Sequence, residues 1–169
     1  VFRLPRSILR RWPKAAAVTR SIAAKSAETS GCGRGSSVTT AEVTFGGGIH
    51  PQANAPALGL RSVHARPDVA LCDPELTLTL PPRLTAATGM DALTHAVEAY
   101  TNRWPHAETA FHAVSAVRMI FANLPRACEN GDDLEAREAM LLASFYAGLA
   151  FTKAYVGYVH AFSHKVGGK

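Results

Sequence analysis

Residues 88–100 read TGMDALTHAVEAY. Within a run of alanine, leucine and valine stand one aspartate, Asp91, and one histidine, His95, four residues apart. Residues four apart on a helix share a face, with Cβ atoms roughly 5–6 Å from each other. A helix that only fills a core needs neither group, whereas a helix that helps to hold a metal needs both. Thr88 followed by Asp91 matches a capping box with Asp in place of Glu, which starts the helix at Thr88; Leu84 is the alternative, earlier start.

Working outward, everything after Arg83 is helical in pattern. A second helix is expected from about Ala107 to Ala122, ending near Pro125. A third is expected from an N-cap at Asp132 or Asp133 to about Tyr155. Gly157 opens a last segment, YVHAFSHKVGGK. Before the Pro81-Pro82 pair, where we expect a domain boundary, PDVALCDPEL (67–76) reads as a short buried strand, Val69 to Cys72, closed by Asp73-Pro74. Residues 31–48, GCGRGSSVTTAEVTFGGG, read as loop, short strand and loop, and 49–67 as irregular. Residues 1–30 carry no convincing element, with Pro13 breaking the little helical spacing they have.

Composition excludes several classes. At 47% hydrophobic and 18% charged residues the chain has the makings of a packed core and is not a disordered chain. No apolar run approaches the roughly 18 residues of a membrane helix. Cys32, Cys72 and Cys128 are odd in number and far apart. They form neither a disulfide framework nor a CxxC zinc motif, and a reducing, cytoplasmic setting follows. The net charge of +5 is uneven: residues 1–36 carry +7 and the remainder −2. Such an arm suits an acidic partner, an organelle transit segment, or sequence foreign to the fold.

The last segment repeats the four-residue spacing with His160 and His164. Two facing helices bearing these pairs would gather one carboxylate and two or three imidazoles, a ligand set that suits Fe(II) or Zn(II). Spacing alone leaves two readings open, a metal site or polar residues on ordinary helix faces. His50, His64, His106 and His112 lie in no such pattern and read as surface or satisfied core histidines.

The wording of the sequence adds to its spacing. DPELTLTLPPRLTAATGMDALTHAVEAYTN (73–102) closely resembles the signature of the iron-containing (group III) alcohol dehydrogenases. GYVHAFSHKVGGK (157–169) resembles the start of their second signature, and PDVALCDP (67–74) also fits. GRGSSVT (33–39) resembles their glycine-serine loop, with Ser37 where glutamate is usual. The resemblance is weak over 31–45 and good over 67–169. It implies a mainly α chain: a partial all-helical metal-binding domain (83–169), preceded by the remnant of an α/β nucleotide-binding domain (31–82) and an unmatched basic segment (1–30), disordered or foreign. It implies Asp91, His95 and His160 as ligands of Fe(2+), with Zn(2+) as the alternative, and a further ligand in a PHG segment that would lie beyond Lys169. His164 matches a cleft histidine that is usually not a ligand and suits proton transfer. Gly33, Gly35, Ser36, Leu76, Thr77 and Leu80 become the candidate contacts of NAD or NADP. The family's GGGS phosphate loop has no match in residues 1–30. FGGGI (45–49) has such letters elsewhere; backbone N–H groups there suit phosphate, and a plain flexible turn is the simpler reading.

The expected function is hydride transfer between an alcohol or aldehyde and a nicotinamide, by a fragment of a metal-dependent dehydrogenase. The alternative is an inactive, truncated relic or partner-dependent module that binds metal weakly. Small alcohols or aldehydes are the expected partners, with no nucleic acid and no membrane, and a homodimer is admitted. A nucleic-acid-binding reading rests on the basic arm alone, without aromatic interleaving or a recognised motif.

Overall fold

The computed structural model describes residues 46–49, 58–61, 72–102 and 106–166, with side chains over 72–102 and 106–163. The expectations placed on residues 1–45 and 62–71, Gly33, Gly35 and Ser36 among them, lie outside the described residues, as does the side chain of His164.

Two short strands, β1 (Gly46–Ile49) and β2 (Leu58–Arg61), pair antiparallel, with Gly46 opposite Arg61 and Ile49 opposite Leu58. The glycine run was read as a turn, and Ile49 and Leu58–Arg61 fall in the stretch 49–67 read as irregular, so both expectations are corrected at these residues; 50–57 and 62–67 lie outside the described residues. Glycine has poor strand propensity, so the pairing with Leu58–Arg61 was invisible locally. A 3₁₀ turn, Pro74–Thr77, follows. Asp73 caps it, its Oδ1 accepting from the Glu75 N–H at 3.1 Å.

The helix α1 spans Pro82–Thr101. It begins earlier than the Thr88 capping box implies, because Pro82 occupies the first turn, where a missing N–H costs nothing. Thr88 lies inside the helix, and its Oγ1 donates to the Leu84 carbonyl at 2.9 Å. The helix α2, Ala107–Glu129, runs through Pro125 instead of stopping there. The carbonyl that Pro125 leaves unpaired belongs to Phe121. Both residues are exposed, so water can satisfy it, and the last turn closes with the Asn130 N–H on the Arg126 carbonyl at 2.9 Å. The helix α3, Leu134–Ala154, starts as expected with Asp133 as N-cap, its Oδ1 accepting from the Ala136 N–H at 3.0 Å. The chain turns at Tyr155, whose φ is 65°, and ends in α4, Tyr158–Val166.

The three long helices pack on one another along stripes of small residues. On α1 these are Thr85, Gly89, Ala92, Ala96 and Ala99; on α2, Thr109, Ala113, Ala116 and Ile120; on α3, Ala136, Met140, Ala143, Ala147, Ala150 and Ala154. Each stripe alternates steps of four and three, which keeps one face of each helix toward its neighbours. Ala96, Ala116 and Ala147 form one fully buried layer, and Ala99, Ala113, Ala150 and Ala154 another. Methyl groups fill little space, so the backbones can approach closely. At Gly89 even a methyl is too much, because a Cβ there would sit 2.4 Å from Leu124 Cδ1. Among the described residues no helix is long and apolar enough to cross a membrane. The expected mainly α class holds for them.

Candidate metal centre

The packing stripe of α1 leaves a second stripe beside it. Asp91, His95 and Glu98 each stand one position before a core residue, Ala92, Ala96 and Ala99. One residue is about 100° of helix rotation, so these three side chains line the edge of the seam, and α4 docks there. His160, in the first turn of α4, is 6% exposed. Its Nε2 lies 3.2 Å from Asp91 Oδ1 and its Nδ1 lies 2.6 Å from Glu98 Oε2. The His95 and His160 rings stack with centroids 3.9 Å apart and planes 9° from parallel. His95 Nδ1 is 3.8 Å from Asp91 Oδ2, and Phe151 on α3 lies against the His95 ring at 4.5 Å. One donor atom from each of Asp91, His95 and His160 lies within 4.8 Å of the others. It is the one such group of three among the described residues.

The electrostatics of this corner point to a cation. With Nδ1–H of His160 donated to Glu98, the Nε2 lone pair faces a carboxylate oxygen. Either a second proton on the ring or a metal ion between the two atoms relieves that opposition. Two atoms each about 2.1 Å from one ion, at angles of 90–109°, lie roughly 3.0–3.4 Å apart. The 3.2 Å between Nε2 and Oδ1 falls in that range. The donor set therefore fits a divalent ion of the Fe(II) or Zn(II) kind.

Glu98 is the residue that sequence reading missed. Its signal was present: it stands three residues after His95 and seven after Asp91, on the same face. Burial pushes its carboxyl up, but the Gly157 N–H, the His160 ring and the Val159 N–H together hold it below the usual carboxylate range.

The other candidates fall elsewhere. The backbone of His164 lies one turn beyond His160 in α4. Leu76 is 55% exposed, while Thr77 and Leu80 are each 3% exposed, and the Leu80 carbonyl accepts from Arg137 Nη2 at 3.1 Å. His112 stacks at 5.5 Å on Tyr146, with Nε2 3.7 Å from Glu108 Oε1 and outside the group of three, and His106 stands just before α2. His50 and His64 lie outside the described residues.

Residues 85–169 match the model of the Fe-containing alcohol dehydrogenase family, C-terminal. The chain is 50% identical over 102 residues to the NAD-dependent methanol dehydrogenase of Bacillus methanolicus, covering 60% of this chain and 27% of that protein. It is 52% identical over 102 residues to the 1,3-propanediol dehydrogenase of Citrobacter freundii, covering 60% and 26%. Among solved structures, a 1,3-propanediol oxidoreductase superposes with a TM-score of 0.73 at 44% identity, over 78% of this chain and 35% of that one. The sulfoacetaldehyde reductase of Bifidobacterium kashiwanohense, solved in complex with NAD+, superposes with a TM-score of 0.71 at 35% identity, over 77% and 35%. The chain spans about a quarter of the length of the curated relatives it matches.

Proposed function

The chain belongs to the iron-containing alcohol dehydrogenase family, and on that premise we propose that Asp91, His95 and His160 are protein ligands of a divalent metal serving NAD(P)-linked interconversion of an alcohol and an aldehyde. The observation that supports the reading is the donor triangle. Two helices far apart in sequence bring one donor atom from each of one carboxylate and two imidazoles within 4.8 Å of one another, and the 3.2 Å between Nε2 and Oδ1, itself a hydrogen-bond distance, also leaves room for both on one ion.

Each residue has a role in this reading. Asp91 contributes the charge that offsets part of the ion's. His95 stacks on His160 and meets Phe151 at a 32° tilt, so its ring is oriented before any ion arrives. His160 is held by Glu98 through Nδ1, which leaves Nε2 to the metal. Iron is the first choice and zinc the alternative, since nitrogen and oxygen donors suit both. An ion held there would supply Lewis acidity toward an alcohol or carbonyl oxygen, and a bound nicotinamide would supply the hydride chemistry. His164, one helical turn from His160, is our candidate for moving the alcohol proton toward solvent. Gly33, Gly35, Ser36 and the 76–80 segment are our candidates for dinucleotide contact. Within that segment Leu76 offers exposed side chain, whereas the buried Thr77 and Leu80 set its shape.

Metal content tests the assignment. The protein is loaded anaerobically with Fe(II), or with Zn(II), dialysed, and its metal per chain measured. Changes outside the ligand shell already cost about 10–100-fold in affinity, so Asp91→Ala or His95→Ala should cost more than about 100-fold. Unchanged metal content in both variants would refute the assignment. NAD-linked oxidation of short alcohols by the loaded protein then reads the activity separately.

A further inference from the structure

Among its described side chains, α4 has little apolar anchorage. Tyr158, Val159 and Phe162 are 85%, 61% and 70% exposed, and an isolated helix of nine residues is unstable in water. Besides the His160 ring, stacked on His95 and facing Asp91, what fastens it is the carboxylate of Glu98. The Gly157 carbonyl accepts the first intrahelical bond, from the Ala161 N–H at 3.2 Å, so Gly157 is the N-cap residue and has no side chain with which to cap. Glu98 does that work from α1. Its Oε2 accepts from the Gly157 N–H at 2.7 Å, and its Oε1 accepts from the Val159 N–H at 2.9 Å and the His160 N–H at 3.4 Å. The Val159 and His160 N–H groups are the pair that an N-cap side chain normally satisfies, and a negative charge suits that end of a helix. The same carboxylate holds His160 Nδ1 at 2.6 Å. Gly157 must be glycine for this to work, because a Cβ there would meet Glu98 Cδ and Oε1 at 2.9 Å.

We infer that Glu98 is a positioning residue that joins two events: it caps and docks α4 from another helix, and with the same carboxylate it fixes the tautomer and aim of the ligand His160. This inference rests on the metal reading above. Its consequence is that metal affinity is set partly by the order of α4 before metal arrives, and that the Glu98–Gly157 pair controls that order.

The test uses Glu98→Gln, Glu98→Asp and Gly157→Ala, with Asp91→Ala as reference, in the full chain. Three quantities are read: Fe(II) or Zn(II) affinity by competition titration, amide exchange at Val159 and His160 without metal, and the ring-nitrogen shifts of ¹⁵N-labelled histidine. A glutamine can accept with only one of its two end atoms. Glu98→Gln should therefore weaken metal binding about 10–100-fold, speed exchange at Val159 or His160, and turn His160 from one tautomer into a mixture. Glu98→Asp, which keeps the charge, should recover part of each. Gly157→Ala should mimic Glu98→Gln by displacing an unaltered carboxylate, which guards against a misfolded Glu98 variant. Faster exchange with unchanged tautomer and metal affinity would reduce Glu98 to a helix cap and overturn the inference. So would affinity within about twofold of the parent, well short of the roughly 10–100-fold range expected. If Asp91→Ala leaves metal affinity intact, and His95→Ala does too, the metal reading falls, and the tautomer and exchange data still decide whether Glu98 positions His160.

Discussion

The two ends of α1 are each fastened by one charge, fully buried at one end and partly buried at the other, and the charges are opposite. At the N-terminal end Arg137, 3% exposed, gathers oxygens: its Nε donates to the Gly131 carbonyl at 2.6 Å, its Nη2 to Leu80 at 3.1 Å and its Nη1 to Thr85 Oγ1 at 3.3 Å. At the C-terminal end Glu98 gathers N–H groups, from Gly157, Val159 and His160. Both use a charge to satisfy backbone groups brought from a distant segment, which is stronger than neutral pairing. They differ in what else they hold. Burial pushes the Arg137 guanidinium down from its usual pKa, opposed by Asp132, yet an arginine stays charged at any pH a protein tolerates. Its three partners carry no chemistry. Glu98 holds an imidazole whose other nitrogen faces Asp91. The same kind of fastening is thus inert at one end and part of a reactive corner at the other.

Removing the inert fastening should have the largest effect on stability. Arg137→Met keeps much of the volume but leaves the buried Leu80 carbonyl, and the Gly131 carbonyl at the turn, without their donor. A buried acceptor left unmade costs roughly 1–3 kcal/mol, so a loss of about 2–4 kcal/mol is expected from urea denaturation. Arg137→Lys should fall between, because one ammonium cannot span all three oxygens. The comparison requires the His160 tautomer to stay unchanged in both variants. If it changes, the two ends are not independent.

Between the ends lies the alanine seam, which is held by volume and not by charge. Ala116→Leu puts three more carbons into the layer shared with Ala96 and Ala147. Overpacking of this kind costs about 1–3 kcal/mol, read as a lower urea midpoint, with metal affinity of the folded protein unaltered. A variant as stable as its parent would mean the seam has slack that the zero exposure of these three alanines does not suggest.

Legibility followed the range of the interactions. The start of α3 was readable because Asp133 caps a residue three positions away, and the alternation of alanines along it is a local pattern. Asp91 and His95 were readable because they pair within one helical turn. Glu98 was not, since a glutamate on a helix reads as a solvated face until its partners, 59 to 62 residues on, are known. The end of α2 was misread because a proline normally stops a helix, and only exposure of Pro125 and Phe121 lets it continue. The start of α1 was misread because Thr88 has the letters of a cap but turns its hydroxyl back onto Leu84. The pairing of β1 with β2 had no local signal, since three of the four β1 residues are glycine.

The smallest expected effect separates a local fastening from the two remote ones. Asp133 caps α3 within its own turn. Its carboxyl is held below the usual aspartate range, first by the Ala136 N–H and then by Arg126, against an opposing push from burial. Because the folded-state value lies below the unfolded one, its contribution is complete above the ordinary aspartate range and fades as pH falls through the depressed folded value. Amide protection at Ala136, relative to Ala143 in mid-helix, should therefore decline on acidification. Asp133→Asn should keep its protection near neutral pH, since asparagine caps about as well as aspartate, and should lose the acid decline. An identical acid profile in the two proteins would show that another group drives it. Because Arg137 stays charged throughout, amide protection at Leu80, Leu84 and Thr85, whose N–H groups donate to the Thr77 and Pro81 carbonyls, should stay flat over the same range, and a parallel decline there would mean that the whole helical body, not one cap, yields to acid.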